Sequence, residues 1–360
     1  MTPMSARSAL VMASFRFIRL NATMYPAGEL ERSLYAKFGI EPEYVEEEDP
    51  QELIRHLSGC DAVAVVSTGL PEAVVSSLDR CRLISRLGNG TDKIAVEKAT
   101  ECGIIVSNAP LFCAEEMTDH IMAMLLALAR QLPRMEQFMR AGRFRQARAE
   151  ATQLQRLSTC ALGIVGFGAT GEMVARRARA FGLRVLATRR NLQAPLPADL
   201  AVEMVDLETL LTESDFVSLQ VPLNADTYHM FDEALLRKMK PGSYLINTSR
   251  GALVDEDALV RVLREGPLAG AALDTYEWLN VFTDEDQTLQ HPLMELDNVL
   301  MTSHVSAHSV QSGEDVARTG VCNLASILKD HWPAPENIVN LGVVPRYPLK
   351  PHDAELYASA

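Results

Sequence analysis

The sequence predicts an α/β protein of two domains, each a doubly wound parallel sheet with helices on both faces. Three observations support this prediction. The chain has 360 residues, which corresponds to about two domains at roughly 100–200 residues each. Short apolar segments alternate with amphipathic ones in two blocks, residues 9–110 and residues 159 onward. A glycine-rich turn, Gly166–Gly171, follows an apolar segment early in the second block.

The first block reads as strands separated by helices. Strands are expected at residues 9–17, 62–66, 83–87 and 104–106, and helices at residues 28–38, 50–57, 71–78 and 94–102. Short apolar strands between amphipathic helices indicate a parallel sheet buried on both faces.

A long helix is expected at residues 114–131, where apolar residues such as Ile121, Met124 and Leu125 fall on all sides. A helix of this kind is buried, between domains or subunits. Residues 135–156 are polar and rich in arginine, which is typical of a solvated or interdomain segment.

The second block repeats the alternation. Strands are expected at residues 161–165, 183–188, 201–205, 216–221, 243–247, 269–273 and 299–302. Asp255 is a suitable N-cap for a helix over residues 256–265. Residues 345–360 contain prolines and are expected to be irregular.

Composition narrows the range of partners. The formal net charge of −13 disfavours nucleic acid and anionic membranes, which select basic surfaces. No apolar run approaches the ~20 residues of a transmembrane helix, and we read no signal peptide. Six cysteines without a Cys-x-x-Cys pair favour reduced thiols in a cytoplasmic protein.

The glycine-rich turn Gly166-Phe167-Gly168-Ala169-Thr170-Gly171 lies between an apolar strand and a predicted helix, residues 172–181. In this context it is the fingerprint of a Rossmann dinucleotide-binding domain. Gly166 allows the tight turn, Gly168 lets a pyrophosphate approach the backbone, and Gly171 allows close packing of helix and strand. The helix N-terminus supplies N–H donors for the phosphates.

The next strand ends in Thr188-Arg189-Arg190-Asn191. An NAD-binding unit normally carries Asp or Glu here, for the adenosine ribose. Because Arg189 and Arg190 suit a 2′-phosphate, NADP(H) is favoured over NAD(H). Alternatively, one arginine only stacks on adenine.

Three polar segments follow predicted strands: Asn247–Gly251, Leu273–Glu277 and Met301–His304. Open α/β sheets bind ligands at such carboxyl ends. No third metal ligand accompanies His304 and His308, so no metal site is expected.

With these segments, the chain resembles the D-isomer-specific 2-hydroxyacid dehydrogenases. That family includes phosphoglycerate, glyoxylate, formate and phosphite dehydrogenases and the C-terminal-binding-protein corepressors. The match extends from about residue 62 to residue 340. It includes Gly88-Asn89-Gly90-Thr91-Asp92, Asn108-Ala109-Pro110 followed by Glu116 and His120, and the signature from Pro241 to Asp255.

The resemblance implies hydride transfer between a nicotinamide cofactor and a 2-oxoacid or D-2-hydroxyacid. Arg250 would bind the substrate carboxylate and keto oxygen, and His304 would be the acid/base. The backbone of Asn89 and Gly90 would grip the substrate carboxylate. The implied cofactor-binding residues are Gly166, Gly168, Ala169, Thr170, Gly171, Arg189, Arg190, Val221, Thr227, Thr248 and Asp274.

One departure from the family concerns the carboxylate that orients the histidine. The family places it five residues after the aspartate, where this chain has Leu279. Glu277 is the nearest carboxylate, and it is either a displaced catalytic substitute or not catalytic. Ser303 also replaces the proline that usually precedes the histidine.

The resemblance further implies a cleft between a discontinuous substrate domain, residues 1–109 and 306–345, and a cofactor domain, residues 110–305. Residues 346–360 would form a tail. A homodimer is expected, with residues 114–130 as the contact helix. The alternative to an enzyme is a non-catalytic, nucleotide-sensing scaffold similar to the corepressors, which the absence of an acidic residue at Leu279 favours.

Overall fold

The structure is a computed structural model that describes residues 15–21, 23, 25–282, 288–358 and 360. Its strands are β1 (Phe17–Leu20), β2 (Pro42–Val45), β3 (Ala62–Val65), β4 (Leu83–Arg86), β5 (Ile105–Ser107), β6 (Ala161–Val165), β7 (Arg184–Thr188), β8 (Glu203–Met204), β9 (Phe216–Leu219), β10 (Tyr244–Asn247), β11 (Gly270–Leu273) and β12 (Val299–Met301).

Its helices are α1 (Glu29–Phe38), α2 (Pro50–Leu57), α3 (Glu72–Ser77), α4 (Val96–Glu101), α5 (Ala114–Ala129), α6 (Leu132–Arg140), α7 (Phe144–Ala151), α8 (Ala169–Ala180), α9 (Leu207–Glu213), α10 (Glu233–Arg237), α11 (Glu256–Glu265), α12 (Val310–Leu328) and α13 (Ala354–Ala358).

The chain divides into two compact units, one from residues 1–110 and 314–360 and the other from residues 111–313. The first unit contains a five-stranded sheet in the order β2-β1-β3-β4-β5, with every pair parallel. Val63 and Val65 of β3 join one apolar cluster, and Ala62 and Ala64 join another. Because successive side chains of a strand point to opposite faces, this sheet is buried on both.

The second unit contains a seven-stranded parallel sheet in the order β12-β11-β10-β9-β6-β7-β8. Leu162 and Ile164 of β6 pack into one core cluster, and Ala161 and Val165 into another. The α/β class with two parallel sheets is therefore confirmed. The strand order reverses between β6 and β9, and in open sheets this switch point is where ligands bind.

Most predicted elements lie where the sequence places them, and the exceptions have local causes. The first strand is Phe17–Leu20, later than the predicted residues 9–17, of which residues 9–14 lie outside the described residues. The edge strand β2 was not predicted because it is largely exposed and lacks an apolar pattern. The polar segment after α5 folds into α6 and α7, held partly by the Arg134–Glu150 ion pair.

The C-terminal segment is not wholly irregular, and that prediction was wrong. It contains the short helix α13, whose start is stabilised by the Asp353 side chain accepting from the backbone N–H of Glu355 at 3.1 Å. Leu356 of α13 is buried. The assignment of the units as substrate and cofactor domains stays a prediction.

Candidate active site

The glycine-rich turn joins β6 to α8 and leaves the N-terminus of that helix open. Gly166 has φ +94°, and a Cβ there would lie 2.5 Å from the carbonyl oxygen of Gln220. A Cβ on Gly171 would lie 2.9 Å from the carbonyl oxygen of Gly166. At Gly168 an added Cβ meets nothing within 4 Å, and no side chain caps α8. The free N–H groups, which include those of Ala169 and Thr170, therefore suit a phosphate.

Val221 and Thr227 lie in the loop after β9, and Val221 lies beside the glycine-rich turn. A Cγ atom of Val221 would come within 2.7 Å of a Cβ on Gly166. The Thr227 hydroxyl donates to the carbonyl of Pro222 at 2.7 Å and accepts from the N–H of Asn224 at 2.9 Å. Val221 thus lines the switch point, and the predicted cofactor role of Thr227 stays a prediction.

Arg189 and Arg190 follow β7 and differ in their surroundings. The Arg189 guanidinium donates to the carbonyls of Asn191 at 3.0 Å and Pro195 at 3.3 Å, and also to Ala194. Arg190 is 81% exposed and pairs with Asp226 at 3.1 Å. Because exposed ion pairs contribute little, Arg190 is available to an anionic ligand at small cost.

A compact turn after β10 carries Thr248 and Arg250. The Asn247 side chain closes the turn by donating to the Arg250 carbonyl at 2.8 Å and accepting from the Ser249 N–H at 3.1 Å. The Arg250 guanidinium donates to the Ser249 carbonyl at 2.8 Å. Thr248 is buried, and its hydroxyl has no partner among the described residues. Because buried hydroxyls are normally paired, this one fits a cofactor contact.

Asp274, at the end of β11, is fully buried and organises the segment that contains His304. One carboxylate oxygen accepts from the Thr302 hydroxyl at 2.5 Å and from the Val305 N–H at 3.0 Å, and the other accepts from the Ser306 N–H at 3.0 Å. Burial raises the pKa of Asp274, but these hydrogen bonds outweigh it, and the pKa lies below its usual value.

His304 therefore sits in a segment whose neighbours on both sides are tied to one carboxylate. Its backbone is left-handed, with φ +56°, a conformation that surrounding contacts must hold in place. Its ring lies 4.8 Å from the ring of Phe282, at an angle of 56°. His120 of α5 contacts the Thr302 hydroxyl at 3.1 Å and extends this network.

Glu277 contacts a different group of residues. Its two carboxylate oxygens bind His229 Nε2 at 2.6 Å and the Tyr228 hydroxyl at 3.0 Å. Among the contacts of the described residues, Glu277 is joined to His229 and Tyr228 and not to His304.

Asn89 and Gly90 belong to the other unit, where they follow β4. The Asn89 carbonyl accepts from the Asn108 side chain at 2.7 Å, and the Gly90 carbonyl accepts from Arg86 at 2.9 Å. Their N–H groups are the atoms expected to grip a carboxylate, and that role stays a prediction.

Two features are absent from the described residues. These residues contain no cluster of three or more His, Cys, Asp or Glu residues suited to a metal ion. Within the same part of the chain, no helix is both long and apolar enough to cross a membrane.

Comparison with known proteins identifies the family. Residues 122–306 match the profile of the D-isomer specific 2-hydroxyacid dehydrogenase, NAD binding domain. A glyoxylate reductase of Thermococcus litoralis is 36% identical over 290 residues, which cover 79% of this chain and 85% of that protein. The chain belongs to the D-isomer-specific 2-hydroxyacid dehydrogenase family. It is an NAD(P)-dependent 2-oxoacid reductase.

Solved structures of other dehydrogenases share the fold. One is the D-lactate dehydrogenase of Aquifex aeolicus, which was solved with NAD and lactic acid. Its TM-score is 0.77 at 27% sequence identity, and the match covers 90% of this chain and 99% of that protein's chain. Another is the NADPH-dependent glyoxylate/hydroxypyruvate reductase of Sinorhizobium meliloti, which was solved with NADP and malonate. Its TM-score is 0.77 at 26% sequence identity, and the match covers 93% of this chain and 100% of that protein's chain. These two relatives carry different cofactors.

The sequence placed Thr302 in the polar segment that ends at His304 without giving it a role, and it did not point to His229 at all. Thr302 is a polar residue at a strand end, two positions before His304, so its position was a usable signal. His229 had no such signal, because its partner Glu277 lies 48 residues away.

Proposed function

We propose that this dehydrogenase reduces small 2-oxoacids to D-2-hydroxyacids, with Arg250 binding the substrate and His304 acting as acid/base. One observation carries the proposal. β10, β11 and β12 are adjacent and parallel, and the segments after them contain Arg250, Asp274 and His304. One edge of the sheet therefore carries three groups: Arg250 as the cation for the oxoacid, Asp274 as the carboxylate that fixes a loop, and His304 as the proton donor.

Arg250 suits the substrate better than a lysine would. Its guanidinium is planar and presents paired N–H donors, which match the carboxylate and keto oxygens of a 2-oxoacid. The turn fixed by Asn247 sets its backbone. We assign substrate orientation to Arg250 on this basis.

His304 would donate a proton to the keto oxygen during reduction and accept one from the hydroxyl during oxidation. Imidazole exchanges protons near neutral pH. Asp274 acts on His304 through the backbone of Val305 and Ser306 and through Thr302. A bound nicotinamide cofactor supplies or accepts the hydride.

The cofactor would lie along the switch point of the second sheet. The N-terminus of α8 would hold its phosphates and Thr248 would hydrogen bond to it. We propose a preference for NADP(H), since Arg189 and Arg190 stand where an NAD-binding unit carries a carboxylate. A homodimer and a cytoplasmic location complete the proposal, the latter supported by six free thiols.

Glyoxylate is the first substrate to test, because several relatives are glyoxylate reductases. Its product has no stereocentre, so pyruvate and hydroxypyruvate are needed to test D-specificity. Oxidation of NADPH and of NADH is followed at increasing concentrations of each acid, and the product enantiomer is separated by chiral chromatography. We expect turnover, D-products and a lower KM for NADPH.

Arg250→Ala and His304→Gln are the matched variants for this assay, and we expect both to lose most of the turnover while still binding NADPH. An L-product would refute the stereochemistry. Tight nucleotide binding without turnover of any acid would favour the scaffold.

A further inference from the structure

A histidine–carboxylate pair joins two loops of the second unit at their exposed side. His229 Nε2 lies 2.6 Å from one oxygen of Glu277, and the Tyr228 hydroxyl donates to the other oxygen at 3.0 Å. The rings of Tyr228 and His229 stack with centroids 4.0 Å apart at 15°. The stacking limits where the imidazole can point, so the contact to Glu277 is a defined one.

The backbone of His229 is held in an unfavourable conformation beside the Arg250 turn. Its φ is +47°, a value that surrounding contacts must maintain. Its N–H donates to the Ala252 carbonyl at 2.8 Å, and the Phe231 N–H donates to the Leu253 carbonyl at 3.0 Å. The loop that contains Thr227 is therefore bonded to the residues that directly follow Arg250.

The backbone of Glu277 packs directly against the same turn. A Cβ on Gly251 would lie 2.0 Å from the carbonyl carbon of Tyr276 and 2.2 Å from the nitrogen of Glu277, so the two backbones touch. The buried Glu256 carboxylate accepts from the N–H groups of Glu277 at 2.9 Å and Trp278 at 3.2 Å. These contacts fix the backbone of Glu277 against the turn independently of the contact between its side chain and His229.

We propose that His229 and Glu277 are positioning residues that fix the Arg250–Gly251 turn relative to the loop carrying Thr227. Glu277 then acts on substrate binding and does not orient His304. This inference rests on the proposed function, because it assumes that Arg250 binds the 2-oxoacid. With the pair intact, the turn is held on both sides, and the guanidinium keeps its direction.

The test uses His229→Asn, Glu277→Gln and the double variant of the full chain. Asparagine tolerates a left-handed backbone, so His229→Asn removes the side-chain contact without penalising the loop. His56→Asn, at an exposed position of α2, is the matched control. Steady-state kinetics with glyoxylate and NADPH are measured from pH 5.5 to 9, with NADPH saturating.

We expect each single variant to raise KM for glyoxylate by about fivefold or more with kcat within about twofold, and the double variant to add little, because the two residues act as one unit. The fall of the reductive rate at high pH, assigned to His304, should stay in place. His56→Asn should match the parent.

A shift of that fall to lower pH in Glu277→Gln, but not in His229→Asn, would show that Glu277 serves His304 and would overturn the proposal. Unchanged KM in both single variants, or additive losses in the double variant, would also overturn it. Hydrogen exchange of the peptide covering residues 250–254 provides a readout without turnover, and we expect faster exchange in both single variants. If the parent reduces no oxoacid, the proposed function fails, and this exchange still tests the pair.

Discussion

Replacing Asp274 with asparagine should weaken the hydrogen bonds that hold the loop carrying His304 in place. The carboxylate accepts three hydrogen bonds, from Thr302, Val305 and Ser306, and is fully buried. In Asp274→Asn the oxygen can keep two donors, but the amide NH₂ then faces the third. The change is nearly isosteric, so packing is preserved and the effect is polar.

The expected loss follows from these contacts. Losing one hydrogen bond to a charged acceptor costs about 1.5–3 kcal/mol, and the two that remain become weaker neutral ones. We therefore expect the free energy of unfolding to fall by about 2–4 kcal/mol. Each kcal/mol lowers Tm by about 2–4 °C in a domain of about 150–250 residues, so calorimetry should show a drop of about 4–16 °C.

The pH dependence gives a second check. The pKa of Asp274 is lowered in the folded protein, so its stabilising effect is present above the unfolded pKa of about 3.9 and is lost as pH falls through the lower folded pKa. Asparagine does not titrate. The stability difference between parent and variant should therefore be largest near neutral pH and should narrow as pH falls below about 4.

The control is Asp206→Asn, at the N-cap of α9, where the side chain accepts from the Thr209 N–H. Asparagine caps helices about as well as aspartate, so the change should cost less than about 0.5 kcal/mol. If Asp274→Asn lowers Tm no more than this control does, the carboxylate does not anchor the loop.

Three further changes test the rest of the site. Arg250→Lys keeps the charge but loses the two-pronged geometry, so kcat/KM for glyoxylate should fall at least ~10²-fold; a value within a few-fold of the parent would remove Arg250 from the site. Arg189→Asp should weaken the binding of NADPH about 10- to 100-fold and strengthen the binding of NADH, measured as KM for each cofactor. Equal KM values for NADPH and NADH in the parent would contradict the NADP assignment. Gly251→Ala forces a methyl group to within 2.0 Å of the Tyr276 backbone, so calorimetry should show a lower Tm and kinetics a raised KM. The control Gly342→Ala, at an exposed position with open space for the Cβ, should change neither.

The sequence predicted the parts of this molecule that local patterns encode. The glycine-rich turn, the apolar strands and the capped helix after Asp255 are all local, and Asp255 accepts from the Ala258 N–H as expected. The sequence did not predict strand β2 or helices α6 and α7, because exposed elements need no apolar periodicity. Their stability comes from pairing and ion pairs that residue type alone does not show.

The site residues also divide into those that local sequence patterns predict and those that only contacts between segments reveal. Arg250, Asp274 and His304 stand out because each follows a predicted strand, and strand ends are readable from the sequence. The partners of Asp274 were not readable, since both flanks of His304 supply donors through backbone N–H groups and a threonine. The contact between Glu277 and His229 joins distant segments, so no spacing rule finds it.

Sheet order explains why two carboxylates three residues apart serve different neighbours. β11 lies between β12 and β10, with β9 next beyond β10. Asp274, directly at the strand end, faces the segment after β12 and fixes the backbone on both sides of His304. Glu277, further along, bonds to the loop after β9 across the turn that carries Arg250. We therefore expect Asp274 variants to change the acid–base behaviour of the enzyme and Glu277 variants to change KM for the oxoacid. The Asp274 carboxylate is hydrogen bonded to the segment that carries His304. The Glu277 carboxylate is hydrogen bonded to His229, whose backbone is bonded to the residues that follow Arg250.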